Sequence, residues 1–77
     1  MTLDKLKTGE SGVIESVNVE RSLRCRLLDM GLIPGTKVEV RKLAPLGDPI
    51  EIALRGYTMT IRKADASMID IRPESGV

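Results

Sequence analysis

Ten consecutive residues, 27–36, constrain the fold more than any other part of this 77-residue chain. Gly31 stands where a helix end needs a residue in the left-handed conformation, and glycine adopts it without steric cost because it has no Cβ atom. The next residue, Leu32, is then placed to contact Leu27 one turn back. The segment therefore predicts a helix that ends abruptly and turns back on itself.

A tight turn is predicted directly after this helix end. Residues 33–36 read Ile-Pro-Gly-Thr. Pro34 presets φ at the second position of a type II turn, and Gly35 supplies the positive φ that the third position requires. The chain then alternates valines with charged side chains over residues 36–43. This alternation predicts a strand with one buried and one solvated face.

The region before the turn predicts a strand over residues 12–17 and a helix over residues 18–30. The apolar side chains of this helix recur at three- and four-residue spacing, as Leu23, Leu27, Leu28 and Met30. Asn18 and Ser22 are both acceptable N-caps, which leaves the helix start open. The adjacent apolar pair at 13–14 breaks the alternation of the strand and indicates a bulge or a residue packing over the end of the sheet.

A hairpin with a two-residue turn at 55–56 gives the clearest strand register. The predicted pairs are Leu54 with Tyr57, Ile52 with Met59, and Ile50 with Ile61. This register puts the large apolar side chains on one face, and a slip of one residue would expose them. A short turn at 63–66 then leads to a last strand over 68–71, with Ile69 and Ile71 pointing inward.

Five short strands with one helix between the first and the second predict a mainly β fold. In so short a chain we expect a small, partly closed antiparallel barrel rather than an open sheet, because closure removes exposed strand edges. The length allows one domain with a small core. We expect this domain to span residues 1–72 and residues 73–77 to form a flexible C-terminal tail.

Two loop segments in this order resemble the signature of the FeoA family. The first is the 27–36 segment, and the second reads Ala44-Pro45-Leu46-Gly47-Asp48-Pro49. The resemblance continues in residues 3–9, 12–14, 26–28, 48–52, 55–56 and 61–66. FeoA proteins are small cytosolic proteins encoded with the FeoB ferrous iron transporter. The resemblance implies an SH3-like barrel and a role in ferrous iron uptake; similar domains also occur in iron- and manganese-dependent repressors.

Composition argues against several function classes. The formal charge is +1 and Tyr57 is the sole aromatic residue, whereas nucleic-acid surfaces are strongly basic and single-strand platforms use aromatic faces. An RNA-binding barrel is therefore disfavoured. No apolar stretch approaches the roughly 20 residues of a membrane span, and no signal pattern opens the chain. Together with a single cysteine, this predicts a cytoplasmic protein.

The chain offers little for catalysis or metal binding. It has no histidine, its carboxylates are scattered singly, and no glycine cluster precedes a helix as in a phosphate loop. We therefore expect no enzymatic activity, no cofactor and no metal site, because isolated carboxylates and one thiol do not make an iron site. Cys25 is either a small helix residue half buried among leucines or a reactive thiol.

What remains is recognition of a partner. The candidate binding residues are Ala44, Pro45, Leu46, Gly47, Asp48, Pro49, Arg55, Arg62 and Lys63. Leu46 stands on a loop stiffened by two prolines, where it either anchors a partner or folds back to cap the barrel. The three basic residues form either a solvated face or a cluster that attracts an acidic partner or a membrane surface.

The leading hypothesis is a non-enzymatic accessory protein that docks on the cytosolic part of a FeoB-type transporter, with peripheral membrane association through that transporter. The alternative is a stand-alone barrel of the repressor type that binds its own copies or a regulator peptide in metal-dependent regulation. The sequence leaves open which part of the transporter is contacted, whether GTP hydrolysis changes, and the oligomeric state.

Overall fold

The computed structural model describes residues 1–74, which form five strands and two α-helices. A short 3-10 helix, Leu3–Lys5, comes before the first strand. The elements are β1 (Ser11–Val17), α1 (Arg21–Asp29), β2 (Lys37–Leu43), β3 (Ile50–Leu54), β4 (Tyr57–Ile61), α2 (Lys63–Ala66) and β5 (Ile69–Glu74). The fold is mainly β with a helix between the first two strands, as the sequence predicts.

The strands form one antiparallel sheet in the order β4-β3-β2-β1-β5. Within residues 1–74, no ladder joins β4 to β5, so the expected barrel closure by strand pairing is wrong. The N-terminal segment occupies the outer edge of β5 instead. Met1 accepts a hydrogen bond from the Ile71 backbone N–H at 2.8 Å, and Thr2 forms an isolated bridge with Asp70.

One core of aliphatic side chains packs against one face of this sheet. The most deeply buried are Leu3, Ile14, Leu32, Ile50, Ile52, Ile69, Ile71, Val38 and Val40. The inward orientation predicted for β2 and β5 is confirmed by the complete burial of their valines and isoleucines. Every strand except β4 contributes at least one of these side chains, and α1 adds Leu27.

The predicted helix end and turn are confirmed. Gly31 has φ +102°, and its backbone N–H donates to the Leu28 carbonyl oxygen at 3.0 Å. Leu32 donates to the Leu27 carbonyl oxygen at 2.9 Å. This pair of bonds is a Schellman motif. The type II turn follows, with Gly35 at φ +93° after Pro34.

The hairpin register is also confirmed, since Leu54 faces Tyr57 and the ladder continues without a shift to Ile50 and Ile61. Its turn has positive φ at both central positions, 51° at Arg55 and 84° at Gly56. These are the angles of a type I′ turn, whose twist matches that of the flanking strands.

The start of α1 differs from the prediction. The helix begins at Arg21 with Glu20 as N-cap, and Ser22 lies inside it. Asn18 does not cap the helix. Its side-chain Nδ2 donates instead to Asp70 Oδ2 in β5 at 2.7 Å. A contact between residues far apart in the chain thus competes with local capping.

The remaining differences concern bulges and ends. The irregularity of β1 lies between Ile14 and Ser16, opposite β5, and not at the 13–14 pair. The expected turn at 63–66 is the helical turn α2. Residues 73 and 74, expected in the tail, belong to β5, where Pro73 pairs with Gly12. The rest of the predicted tail, 75–77, lies outside the described residues.

Gly31 also makes a close approach that the sequence does not reveal. The Tyr57 hydroxyl donates a hydrogen bond to the Met30 carbonyl oxygen, and a Cβ atom added to Gly31 would lie 2.5 Å from Tyr57 Oη. A Cβ added to Gly35 would meet nothing within 4 Å. Gly31 therefore carries two constraints, whereas Gly35 carries only its positive φ.

We expect Gly31→Ala to lower the free energy of unfolding by about 1 kcal/mol more than Gly35→Ala, because it displaces Tyr57 as well as straining the backbone. In a Tyr57→Ala background the two glycine substitutions should become equally costly. Urea unfolding of the five variants and the unsubstituted protein measures both differences. Equal costs in the presence of Tyr57 would contradict the assigned contact.

Candidate partner-binding surface

The loop between β2 and β3, residues 44–49, holds an apolar side chain in solvent. Leu46 is 95% exposed. The loop is closed beneath it by two backbone hydrogen bonds, from Ala44 to the Pro49 carbonyl oxygen at 3.1 Å and from Gly47 to the Ala44 carbonyl oxygen at 2.7 Å. The interpretation of Leu46 as a core cap is therefore wrong, and the 44–49 loop presents it outward.

Asp48 fixes this loop to the segment that follows β4. Its Oδ1 atom accepts a hydrogen bond from the Lys63 backbone N–H at 2.9 Å. Lys63 is the first residue of α2, so this carboxylate satisfies one of the N–H groups that a helix start leaves without a partner. The bond brings Arg62 and Lys63 beside the 44–49 loop.

The three predicted basic residues do not form a single cluster. Arg55 lies in the hairpin turn before β4, whereas Arg62 and Lys63 follow the other end of that strand. Five residues of extended strand separate the two sites by about 17 Å. Arg55 Nη2 donates to the Thr36 hydroxyl at 3.2 Å. Arg55 therefore links the hairpin turn to the start of β2, and only the other two basic residues accompany the loop.

A groove of about 620 Å³ runs between α1 and β4 and reaches the 44–49 loop. Its lining is apolar at Leu23, Leu27, Met30, Pro49, Met59 and Ile61, and polar at Arg26, Asp48, Thr60, Arg62 and Asp65. Two arginines and two carboxylates make its formal charge balanced. The exposed leucine, the groove and Arg62 thus share one side of the molecule through Asp48 and Pro49.

Sequence reasoning missed this groove because it assigned both of its methionines to the core. Met30 is 39% exposed, and Met59 is only partly buried at the margin of the core. Methionine is flexible and polarizable, which suits it to surfaces that accommodate a partner. A methionine within each of the two predicted apolar faces was the available signal.

Cys25 is exposed, so its interpretation as a half-buried helix residue is wrong. Leu23 and Leu27 face the sheet, and a residue two positions from both of them points to the opposite side of the helix. Within residues 1–74, no three cysteine or carboxylate side chains lie close enough together to hold a metal ion. Across the same residues, no helix has the length and apolar character needed to cross a membrane.

Comparison with known proteins gives a consistent match. The FeoA domain model matches residues 1–73. The FeoA protein of Chlorobium tepidum, solved by NMR, is 40% identical with a TM-score of 0.93, covering 100% of this chain and 73% of that one. FeoA of Stenotrophomonas maltophilia, solved with zinc and described as a prokaryotic SH3 domain protein, is 25% identical with a TM-score of 0.80. It covers 92% of this chain and 88% of that one.

A relative from Porphyromonas gingivalis is a fusion of Fe(2+) transport protein A with the Fe(2+) transporter FeoB. It is 35% identical over 71 residues, which are 92% of this chain and 8% of the fusion protein. The chain therefore spans a small part of that relative's length.

We expect Asp48→Ala to lower the free energy of unfolding by about 1 kcal/mol, since it leaves the Lys63 backbone N–H without its acceptor. Asp48→Asn keeps an acceptor oxygen and should cost less. Thermal unfolding compares the two variants, and amide hydrogen exchange at Lys63 should accelerate only in Asp48→Ala. Unchanged exchange at Lys63 would contradict the role assigned to Asp48.

Proposed function

The chain belongs to the FeoA family, and we propose that it is a cytosolic, non-enzymatic accessory protein of ferrous iron uptake that docks on the cytosolic part of a FeoB-type transporter. The Porphyromonas relative supports this pairing because it joins both proteins in one fusion. A covalent link keeps two binding modules at a high effective concentration, which benefits modules that act together.

The main observation in support of a docking site at the 44–49 loop is that Leu46, on a loop closed by hydrogen bonds, is 95% exposed. Burying a leucine side chain against a partner contributes about 1.5 to 3 kcal/mol. The two hydrogen bonds within the loop hold it in one conformation before binding. A preorganised loop loses little conformational entropy on binding, so most of that gain is retained as affinity.

The positive charge next to the 44–49 loop supports docking on an acidic surface of the transporter. Arg62 and Lys63 are both exposed, and the bond between Lys63 and Asp48 keeps them beside Leu46. Positive groups at the rim of a docking site raise the association rate with an acidic partner more than they raise affinity. We assign Leu46 the anchoring role and the two basic residues the steering role.

The accessory character of the protein follows from its chemistry. The sequence contains no histidine and one cysteine, and nothing in it supplies the phosphate-binding loop that nucleotide hydrolysis requires. The transporter therefore carries the transport chemistry, and this chain acts on it by binding.

We expect Leu46→Asp to fold with near-native thermal stability and to bind the cytosolic part of the transporter at least about tenfold more weakly, since it loses the burial of an apolar side chain. Calorimetric titration measures the affinity, and ferrous iron uptake in cells lacking this protein measures the consequence. Ile33→Asp is the matched control, because Ile33 is 38% exposed on a different loop.

Loss of folding in Leu46→Asp would show that the leucine supports the core. A folded Leu46→Asp protein with unchanged affinity would place the docking surface elsewhere. If Ile33→Asp weakened binding equally, the effect would reflect added charge rather than a lost anchor.

The purified protein should neither retain one iron per chain through gel filtration nor hydrolyse GTP. The reason is that it lacks a ligand cluster in residues 1–74 and a phosphate loop. Elemental analysis and a phosphate-release assay check the two points separately. Iron retained at one per chain would reveal a site assembled from scattered carboxylates.

A further inference from the structure

The two edges of the sheet differ in their protection. The outer edge of β5 is covered where the Ile71 N–H donates to the Met1 carbonyl oxygen and Thr2 bridges Asp70. Beyond that point β5 carries the charged and proline residues of its last three positions, 72–74. Covering segments, charges and proline are the devices by which proteins prevent edge strands from pairing with other chains.

The outer edge of β4 has no strand or isolated bridge paired with it within residues 1–74, and α1 lies across the groove from this strand. The sequence of β4 is Tyr-Thr-Met-Thr-Ile, without charge or proline, and its register with β3 runs through all five pairs without a bulge. A neutral edge strand without a bulge, rich in β-branched and aromatic residues, is a template for another strand.

The register identifies which backbone groups of β4 face outward. In a two-residue hairpin the closing pair, Leu54 and Tyr57, exchanges hydrogen bonds, and hydrogen-bonded and non-hydrogen-bonded pairs then alternate along the ladder. Thr58 and Thr60 therefore direct their N–H and C=O groups away from β3. Neither residue makes a backbone hydrogen bond to another part of the described chain outside the sheet. Both are exposed.

We propose that β4 pairs antiparallel with β4 of a second copy of this chain, around a two-fold axis at Met59. In this register Thr58 faces Thr60 of the second copy, and Thr60 faces its Thr58. All four are residues with outward backbone groups, so each pair exchanges two hydrogen bonds. Met59 faces Met59 of the second copy at a non-hydrogen-bonded pair, where side chains approach most closely.

The identity of the partner follows from this self-complementarity. In an isologous contact the same patch of both copies must fit itself. The centre of β4 reads Thr-Met-Thr, so rotation about Met59 places threonine opposite threonine and outward backbone groups opposite outward backbone groups. The five residues of the strand carry no charge that would repel the copy, and the like charges of this register, Arg55 and Lys63 of the second copy, lie beyond the ends of the strand. Pairing would also cover the exposed part of Met59, which lines the groove beside Thr60. Leu46 lies outside this contact, so a substitution at Leu46 tests the docking loop separately from the dimer.

Sedimentation velocity of the full chain over a range of concentrations tests the proposal directly. We expect a monomer–dimer equilibrium that Thr60→Pro weakens at least about tenfold, since proline removes an outward N–H that the native ladder does not use. Thr60→Val keeps that N–H and should leave the equilibrium unchanged. Leu46→Asp should also leave it unchanged, which separates this interface from the docking loop.

A pair of charge variants tests the register. Thr58→Lys/Thr60→Lys places like charges opposite each other across the axis and should abolish the dimer. Thr58→Lys/Thr60→Glu places opposite charges there and should preserve it. Both variants keep every backbone group, so they decide the question even if Thr60→Pro fails to fold.

A chain that stays monomeric up to about 1 mM would overturn the proposal and leave the β4 edge for a strand of another protein. A dimer that withstands Thr60→Pro in folded form, or that responds equally to the two charge variants, would overturn it as well. Far-UV circular dichroism and thermal unfolding of each variant verify that the monomer itself is intact.

Discussion

The reversal of the chain at Gly31 is the constraint on which the rest of the structure depends. Its positive φ allows α1 to end in a Schellman motif and directs Leu32 into the core, where it is fully buried. The Tyr57 hydroxyl reaches the Met30 carbonyl oxygen at the same point. This contact attaches the end of α1 to the β3–β4 hairpin, and Met30 at the same point lines the groove between helix and strand.

The features predicted correctly from the sequence are those encoded within a few neighbouring residues. Positive φ at Gly31 and Gly35 follows from glycine placed at the positions that need it. The hairpin register follows from the period-2 alternation of residues 50–61, which admits one pairing with a buried apolar face. In each case the competing arrangement would expose apolar side chains or strain a residue with a Cβ atom.

The predictions that failed concern contacts between distant segments. Asn18, one of the two candidate N-caps, is hydrogen-bonded to Asp70, 52 residues away, and Met1 rather than β4 lies at the outer edge of β5. Arg55 was grouped with Arg62 and Lys63 because all three flank β4, whereas an extended strand holds its two ends far apart. The groove is not predictable from local sequence for the same reason. Its two walls, α1 and β4, are separated in sequence by two other strands.

A domain of this size buries about 60 to 65% of the surface of its unfolded chain, so its proposed recognition features lie on surfaces that the core does not use. The 44–49 loop and the β4 edge are both of this kind. Leu46 contributes nothing to the aliphatic core, and β4 is the strand without a member among the most deeply buried side chains. We therefore expect substitutions of the exposed side chains on either surface to leave the fold intact. This separation of core from surface suits a chain whose proposed action on a transporter depends on binding alone.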